Sequence, residues 1–271
     1  MPSLTDLLAQ RSARDHLVQF YGDSRELVPS VATYLKEGAA RGDWMIVIAT
    51  PSHRDQFKEA LRSDGVAVDS LETSGRLTVL DAETTLSRLL VGGSPVRERF
   101  EEVVGQLVRA TKARAGESGL RAYGEMVNLL WTSGRLEAAT KLEEFWNNLL
   151  EASRFSLFCA YTVDPLSGLS PAEPLRQILH VHSHLLPERS NGELTRSVER
   201  AMVEVIGEKS TAALLPLIRA SRHSVAALAP AESTILWLRH HLPVLEEAVL
   251  TRTRRFYEEE CARSAGREDS K

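Results

Sequence analysis

The sequence predicts an α/β protein: a three-layer domain on a mostly parallel sheet, followed by a small C-terminal all-α module. Three observations carry this expectation. Short β-prone runs alternate with segments of helical spacing, and strands separated by whole helices pair in parallel with helices over both faces. The run Trp44-Met-Ile-Val-Ile-Ala49 is continuously apolar, as a strand covered on both faces is. Beyond residue 194 only helix-like periodicity remains, with no strand candidate.

Taken in order, Leu17-Val-Gln-Phe-Tyr21 is the first expected strand. A helix from Ser24 to near Ala40 places Leu27, Val31, Tyr34 and Leu35 on one face, with Gly38 and Gly42 at its exit. After the second strand, Trp44 to Ala49, Pro51 opens a helix that carries Phe57, Ala60 and Leu61 and stops near Gly65. Leu77 to Leu80 is the third expected strand, Leu120 to Gly124 the fourth and Phe155 to Tyr161 the fifth. Helices are expected around residues 84–90 and 96–115, and a long one over 136–153 with Leu142, Phe145, Trp146 and Leu149 on one side. A Pro/Gly/Ser-rich turn region begins at Asp164. The run from Leu175 to His184 reads as helical, and Ser190-Asn-Gly-Glu193 as a linker. The expected domains are residues 14–187 and a helical module over 194–262.

Composition is that of an ordinary globular protein, with 43% hydrophobic and 26% charged residues in 271. A net charge of −4 gives no global reason to expect nucleic-acid binding. Cys159 sits in an apolar run and reads as a small buried hydrophobe, while Cys261 lies in a charged tail, so no disulfide framework is expected. The N-terminus lacks the basic stretch and apolar core of a signal peptide, and no run is long enough to span a bilayer. The expected location is the cytoplasm, with no membrane partner.

Parallel sheets bind ligands in the crevice outside the carboxyl ends of their strands. Those ends are Tyr21, Thr50 to His53, Asp81, Glu125 and Tyr161. A pocket of Tyr21, Glu125 and Tyr161 with His53 at its rim would suit a small, partly apolar ligand. Each residue has a plainer reading: Asp81 as a helix N-cap, His53 as an exposed helix residue, the tyrosines as buried rings. Glu125 is the best candidate, because a carboxylate between Gly124 and Met126-Val-Asn-Leu-Leu-Trp131 is costly to bury without a partner.

Phe20-Tyr-Gly-Asp-Ser-Arg-Glu-Leu27 stands where a phosphate-binding loop would stand. It has one glycine and no lysine, and its acids Asp23 and Glu26 would repel a phosphate at the helix start. Gly207-Glu-Lys-Ser-Thr211 resembles the end of such a loop, but no strand precedes it. His180 and His184 would share a helix face and His16 is available, yet no cysteine or acid stands at metal-site spacing. No metal or cofactor is therefore expected. A serine hydrolase is disfavoured because no Gly-x-Ser-x-Gly follows a strand.

Several motifs resemble one family. They are His16-Leu-Val-Gln-Phe-Tyr21, the stretch from Gly38 to His53, Leu80-Asp-Ala82, Tyr123 to Trp131, Leu142-Glu-Glu-Phe-Trp-Asn147, Phe158-Cys-Ala-Tyr161 and His182-Ser-His184. In this order, across residues 14–187, they resemble the MEDS domain, a sensory domain of methanogens and methylotrophs. The resemblance implies a divergent relative of RecA- and KaiC-type ATPases without the phosphate loop. It implies sensing of small molecules, hydrocarbon derivatives among them, beside histidine kinases and DNA-binding regulators. His16, Tyr21, Glu125 and His184 are its matched polar positions.

The C-terminal module shows neither histidine-kinase motifs nor a helix-turn-helix. Arg252, Arg254 and Arg255 are offset by Glu258, Glu259 and Glu260, the pattern of a solvated helix face. Leu236-Trp-Leu238 and Leu242-Pro-Val-Leu245 would form a homodimer or docking surface, or close the module's own core, the preferred reading. The expectation is a non-catalytic sensor that binds a small organic ligand and relays it through the helical tail to a kinase or regulator. An interaction scaffold and a residual nucleotide-binding protein are the alternatives.

Overall fold

The computed structural model describes residues 15–22, 24–162, 178, 182–186, 192–221 and 230–268. They fall into two compact units, one holding the described residues up to 186 and the other those from 192 onward.

The first unit is an α/β domain on a parallel six-stranded sheet. Its strands are β1 (His16–Tyr21), β2 (Trp44–Ala49), β3 (Leu77–Asp81), β6 (Leu120–Gly124), β7 (Ser156–Thr162) and β8 (His184–Leu185), in the order β3-β2-β6-β7-β1-β8. Between them, β4 (Leu90–Val91) and β5 (Ser94–Pro95) form a separate small hairpin. Its two-residue turn is Gly92-Gly93, both at positive φ, the chemistry a tight hairpin requires. Strands this short carry no periodicity from which to expect them.

One face of the sheet carries Leu17, Tyr21, Met45, Val47, Tyr123, Phe158 and Ala160 into a core with helices α1 (Ser24–Arg41) and α2 (Pro51–Ser63). The alternate residues of β7, Cys159 and Tyr161, point to the other face, toward α7 (Met126–Thr132) and α8 (Leu136–Ser153). Helices on both faces explain why β1, β6 and β7 are buried nearly throughout. Asp81 does cap the following helix α4 (Ala82–Leu89), accepting the Thr84 amide at 2.8 Å.

Two local expectations need correction, and one short element is additional. A short helix α3 (Val68–Thr73), too brief for periodicity, precedes β3. The helix expected over 96–115 is α5 (Arg97–Phe100), a π-helical stretch Glu101–Gly105, and α6 (Gln106–Ala115). The wider turn brings Arg109 to 2.7 Å from Glu101, eight residues back. The helix expected over 175–184 does not reach His184, which instead starts β8 beside β1. The free edge of β1 needs partners, and Ser183 N–H donates to His16 O at 2.9 Å and Leu186 N–H to Val18 O at 2.8 Å. His180 lies outside the described residues.

A buried ion pair fastens the α1–β2 turn to β6. Arg121 donates from Nε to Asp43 at 3.0 Å and from Nη1 to the Tyr34 carbonyl at 3.1 Å, while Asp43 also accepts the Gly119 amide. Gly38 is required here, since a Cβ on it would stand 2.8 Å from Arg121 Cδ.

The second unit is all helical: α9 (Gly192–Ile206), α10 (Glu208–Ser221), α11 (Pro230–His241) and α12 (Pro243–Glu268). Its core joins Leu194, Val198, Met202, Ile218, Ile235, Leu238, Val249 and Phe256. Leu236 and Leu238 are buried, whereas Val244 is 84% exposed. Arg252 and Arg255 pair with Glu204 rather than with the acids that follow them in sequence. Gly207-Glu-Lys-Ser-Thr211 is the joint between α9 and α10, with Gly207 at positive φ and Thr211 Oγ1 donating to the Gly207 carbonyl. That explains its loop-like sequence without a phosphate.

Removing Asp43 leaves the Arg121 cation in the interior without its carboxylate. Asp43→Ala is expected to cost about 3–5 kcal/mol, measured by urea unfolding. An effect under about 1 kcal/mol would show that water reaches this pair.

Candidate functional site

Strands β2 and β6 are neighbours, but β2 leads outward to β3 and β6 leads the other way to β7. Diverging connections mark the carboxyl ends of these two strands as the position where parallel sheets take ligands. Glu125, which follows β6, lies there and is 1% exposed. Its backbone N–H extends the ladder to the Ile48 carbonyl.

The carboxylate is fully engaged. One oxygen accepts the amide of Thr50, the N-cap of α2. The other accepts from His53 Nδ1 at 2.6 Å and from the Tyr123 hydroxyl at 3.1 Å. Burial, the largest influence, pushes the Glu125 carboxyl up. The His53 hydrogen bond and charge together with the Thr50 amide outweigh it, so the group lies below its ordinary 4.5. His53 Nε2 stands 3.0 Å from Ser24 Oγ at the start of α1, and its ring stacks on Phe57. The Tyr21 ring meets His53 edge-on, and its hydroxyl accepts from Asn128 at 3.2 Å. Burial first, with the Glu125 charge adding, raises Tyr21 to about 12 against the hydrogen bonds of Thr162 and Asn128. Tyr21 therefore stays a neutral hydroxyl at any working pH.

Thus Tyr21, His53 and Glu125 come together. The other three sequence candidates stand elsewhere. Tyr161 is fully buried on the opposite face and its hydroxyl donates to Glu143 of α8. The inward parity of β7 sends Tyr161 under α8 rather than to the crevice. His16 lies at the start of β1, the wrong end of the strand for the crevice, with Nε2 3.4 Å from Glu143. His184 is exposed and sits 3.3 Å from Asp15.

Around Glu143 the structure gathers a second polar group that the sequence reading missed. Cys159 Sγ is 3.9 Å and His182 Nε2 3.5 Å from its carboxylate, and all of these groups are buried. Burial raises the Glu143 carboxyl most strongly, but the facing His182 and His16 with the Tyr161 hydroxyl bring it to about 2. A signal was present: position 143 falls on the face of α8 that buries Ala139, Leu142, Trp146 and Leu150, where a carboxylate must have a partner. Ser24, Tyr123 and Asn128 were also missed, each being an ordinary residue without its spatial neighbours.

At the phosphate-loop position, the Gly22 amide is taken by Glu26 Oε2 at 2.9 Å. Asp23 lies outside the described residues. Two backbone donors at the strand ends, those of Gly22 and Thr50, are therefore already bound to carboxylates.

Fold and site define the class: a parallel α/β domain whose switch point holds a carboxylate, an imidazole and a hydroxyl. The family model for MEDS, the MEthanogen/methylotroph, DcmR Sensory domain, matches residues 15–183. The match covers more than half of the chain, which belongs to this family and carries a sensory domain. No curated protein matches the chain. Among the described residues, no helix is long and apolar enough to cross a membrane.

Because the folded-state value of Glu125 is lowered, its pairing contributes stability fully above the ordinary 4.5. That contribution fades as the pH falls through the lowered value. Glu125→Gln should therefore be less stable than the wild type at pH 7, with the gap closing below pH 4.5 in denaturant titrations at several pH values. A gap that is constant across this range would mean that the carboxylate charge is not what holds the site.

Proposed function

We propose that the first unit senses a small, partly apolar organic molecule at the β2–β6 crevice, and that it does so without catalysis. The observation that carries this reading is the Glu125–His53–Ser24 chain. It runs from a buried carboxylate to a half-buried histidine beside the Tyr21 ring, at the switch point where parallel sheets take ligands. Aromatic walls with a few fixed polar groups suit a small neutral compound, and hydrocarbon derivatives are the class the family resemblance implies.

The same reading includes descent from a RecA- or KaiC-type ATPase. Strand, loop and helix persist from β1 to α1, while Glu26 holds the Gly22 amide that a phosphate would need. The helical unit, with a core of its own, would relay the bound state to a kinase or regulator, or to a second copy of the chain. Relay requires that the ligand bind the two signalling states unequally. The setting is cytoplasmic in this proposal.

Thermal-shift screening with small apolar and halogenated compounds tests it. A ligand at a hundredfold excess over its Kd adds about 2.7 kcal/mol, a rise of several degrees in Tm. The rise should shrink in Tyr21→Phe and weaken at least tenfold in apparent affinity in Glu125→Gln. A library that stabilises neither the wild type nor its variants would end the proposal.

A second reading has one observation in its favour. Ser24, His53 and Glu125 have the connectivity of a serine–histidine–acid hydrolase, in which the acid orients the imidazole toward the hydroxyl. An oxyanion needs waiting donors, and the Gly22 and Thr50 amides are already occupied. A fluorophosphonate reagent should therefore leave Ser24 unlabelled; covalent labelling lost in Ser24→Ala would favour the hydrolase.

A further inference from the structure

We propose that His16, Glu143, Cys159 and His182 form a zinc-type metal site in the interior of the first unit, on the sheet face opposite the crevice core. Their ligand atoms all lie within 4.8 Å of one another. His16 Nε2 is 3.4 Å from Cys159 Sγ and 3.4 Å from Glu143 Oε2, and Cys159 Sγ is 3.9 Å from that oxygen. Tetrahedral Zn²⁺ with bonds of about 2.0 Å to N or O and about 2.3 Å to S places its ligands roughly 3.3–3.8 Å apart. One ion at the centre would meet all four once the wider pairs close in by roughly 1 Å.

The orientation of the ligands is the stronger argument. His182 Nδ1 stands 2.6 Å from the backbone carbonyl of Ile178, an acceptor only, so that nitrogen carries the proton. In the neutral ring Nε2 then presents a bare lone pair to the cluster, and it is buried with no hydrogen-bond partner among the described residues. Its neighbour is a carboxylate oxygen, which also offers only lone pairs. A cation held by Nε2 and by the other oxygen of that carboxylate resolves the conflict. His16 repeats the pattern, with Nδ1 2.7 Å from Asn147 Oδ1 and Nε2 facing inward. The Tyr161 hydroxyl holds Oε1 of Glu143, leaving Oε2 for the centre. Histidines anchored through their outer nitrogen and a carboxylate anchored through its outer oxygen are the supports that metal ligands usually have.

Charge and ligand type agree. Cys159 would bind as the thiolate, its proton passing to solvent, and the two negative ligands would neutralise a divalent ion beside two neutral imidazoles. A neutral centre is the least costly ionic arrangement in a dry interior. Mixed nitrogen, sulfur and oxygen donors in fourfold array select Zn²⁺ over Mg²⁺ or Ca²⁺. Four protein ligands close the site, so its role is structural: it ties β1, β7, α8 and the segment before β8 together.

The test uses the full chain, unfolded with chelator and refolded with Co²⁺ as the probe, alongside zinc analysis of protein purified without chelator. One Co²⁺ per chain is expected, with tetrahedral d–d bands and a thiolate-to-cobalt band that vanishes in Cys159→Ser. His182→Gln should weaken uptake at least tenfold, with circular dichroism reporting its fold, while exposed His184→Gln binds as the wild type does. A chain that folds without taking up Co²⁺ or Zn²⁺ overturns the proposal, because a shared proton then suffices between His182 and Glu143. A thiolate band that survives Cys159→Ser overturns it as well.

Discussion

A parallel sheet covered on both faces offers no water to a charged side chain, and the first unit is arranged around that constraint. Among the described residues it buries three carboxylates, and each meets a donor from a distant part of the chain. Asp43 takes Arg121 at the amino ends of β2 and β6. Glu125 takes His53 and the Thr50 amide at their carboxyl ends. Glu143 takes the Tyr161 hydroxyl beneath α8, with the His16 and His182 rings facing it. An isolated ion would cost several kcal/mol in this environment, so these pairs fix which strand ends and helices must meet.

The Glu125 and Glu143 groups differ in how they meet solvent. The Glu125 group lies at the diverging ends of β2 and β6 and reaches the surface through His53. The Glu143 group lies wholly inside, on the other face of the sheet. Strand β7 is the partition: Phe158 and Ala160 join the core under α1 and α2, while Cys159 and Tyr161 turn to Glu143. Two polar groups can in this way share a sheet without sharing a residue.

The architecture was legible in the sequence because continuous apolar strands and amphipathic helices are signals of period and composition. The strands beginning at Trp44 and Leu120 match to the residue. Elements shorter than a period left no trace, as with α3 and the β4–β5 hairpin. Of the site, Glu125 could be found because a charge between apolar neighbours is anomalous on its face. The role of His53 became visible only once α2 had brought it across from Glu125. Tyr161 and His16 went to the other cluster, since alternation along a strand fixes which face a residue takes but not which face holds the site. His182, the middle of three neighbouring histidines, turns inward, whereas its neighbour His184 stays exposed in a two-residue strand.

The position of β1 has a consequence for assembly. The first strand of the domain is not at an edge. It is enclosed between β7 and β8, with Leu17 opposite Phe158 and His184. The residues that sandwich it emerge from the ribosome only after more than a hundred others. Until then β1 and α1 must wait with both hydrogen-bonding edges open, while β2, β3 and β6 can already pair with one another. The domain therefore closes like a latch, its earliest segment locked by its last, and nascent chains that stop short of β7 would expose an unpaired strand to aggregation.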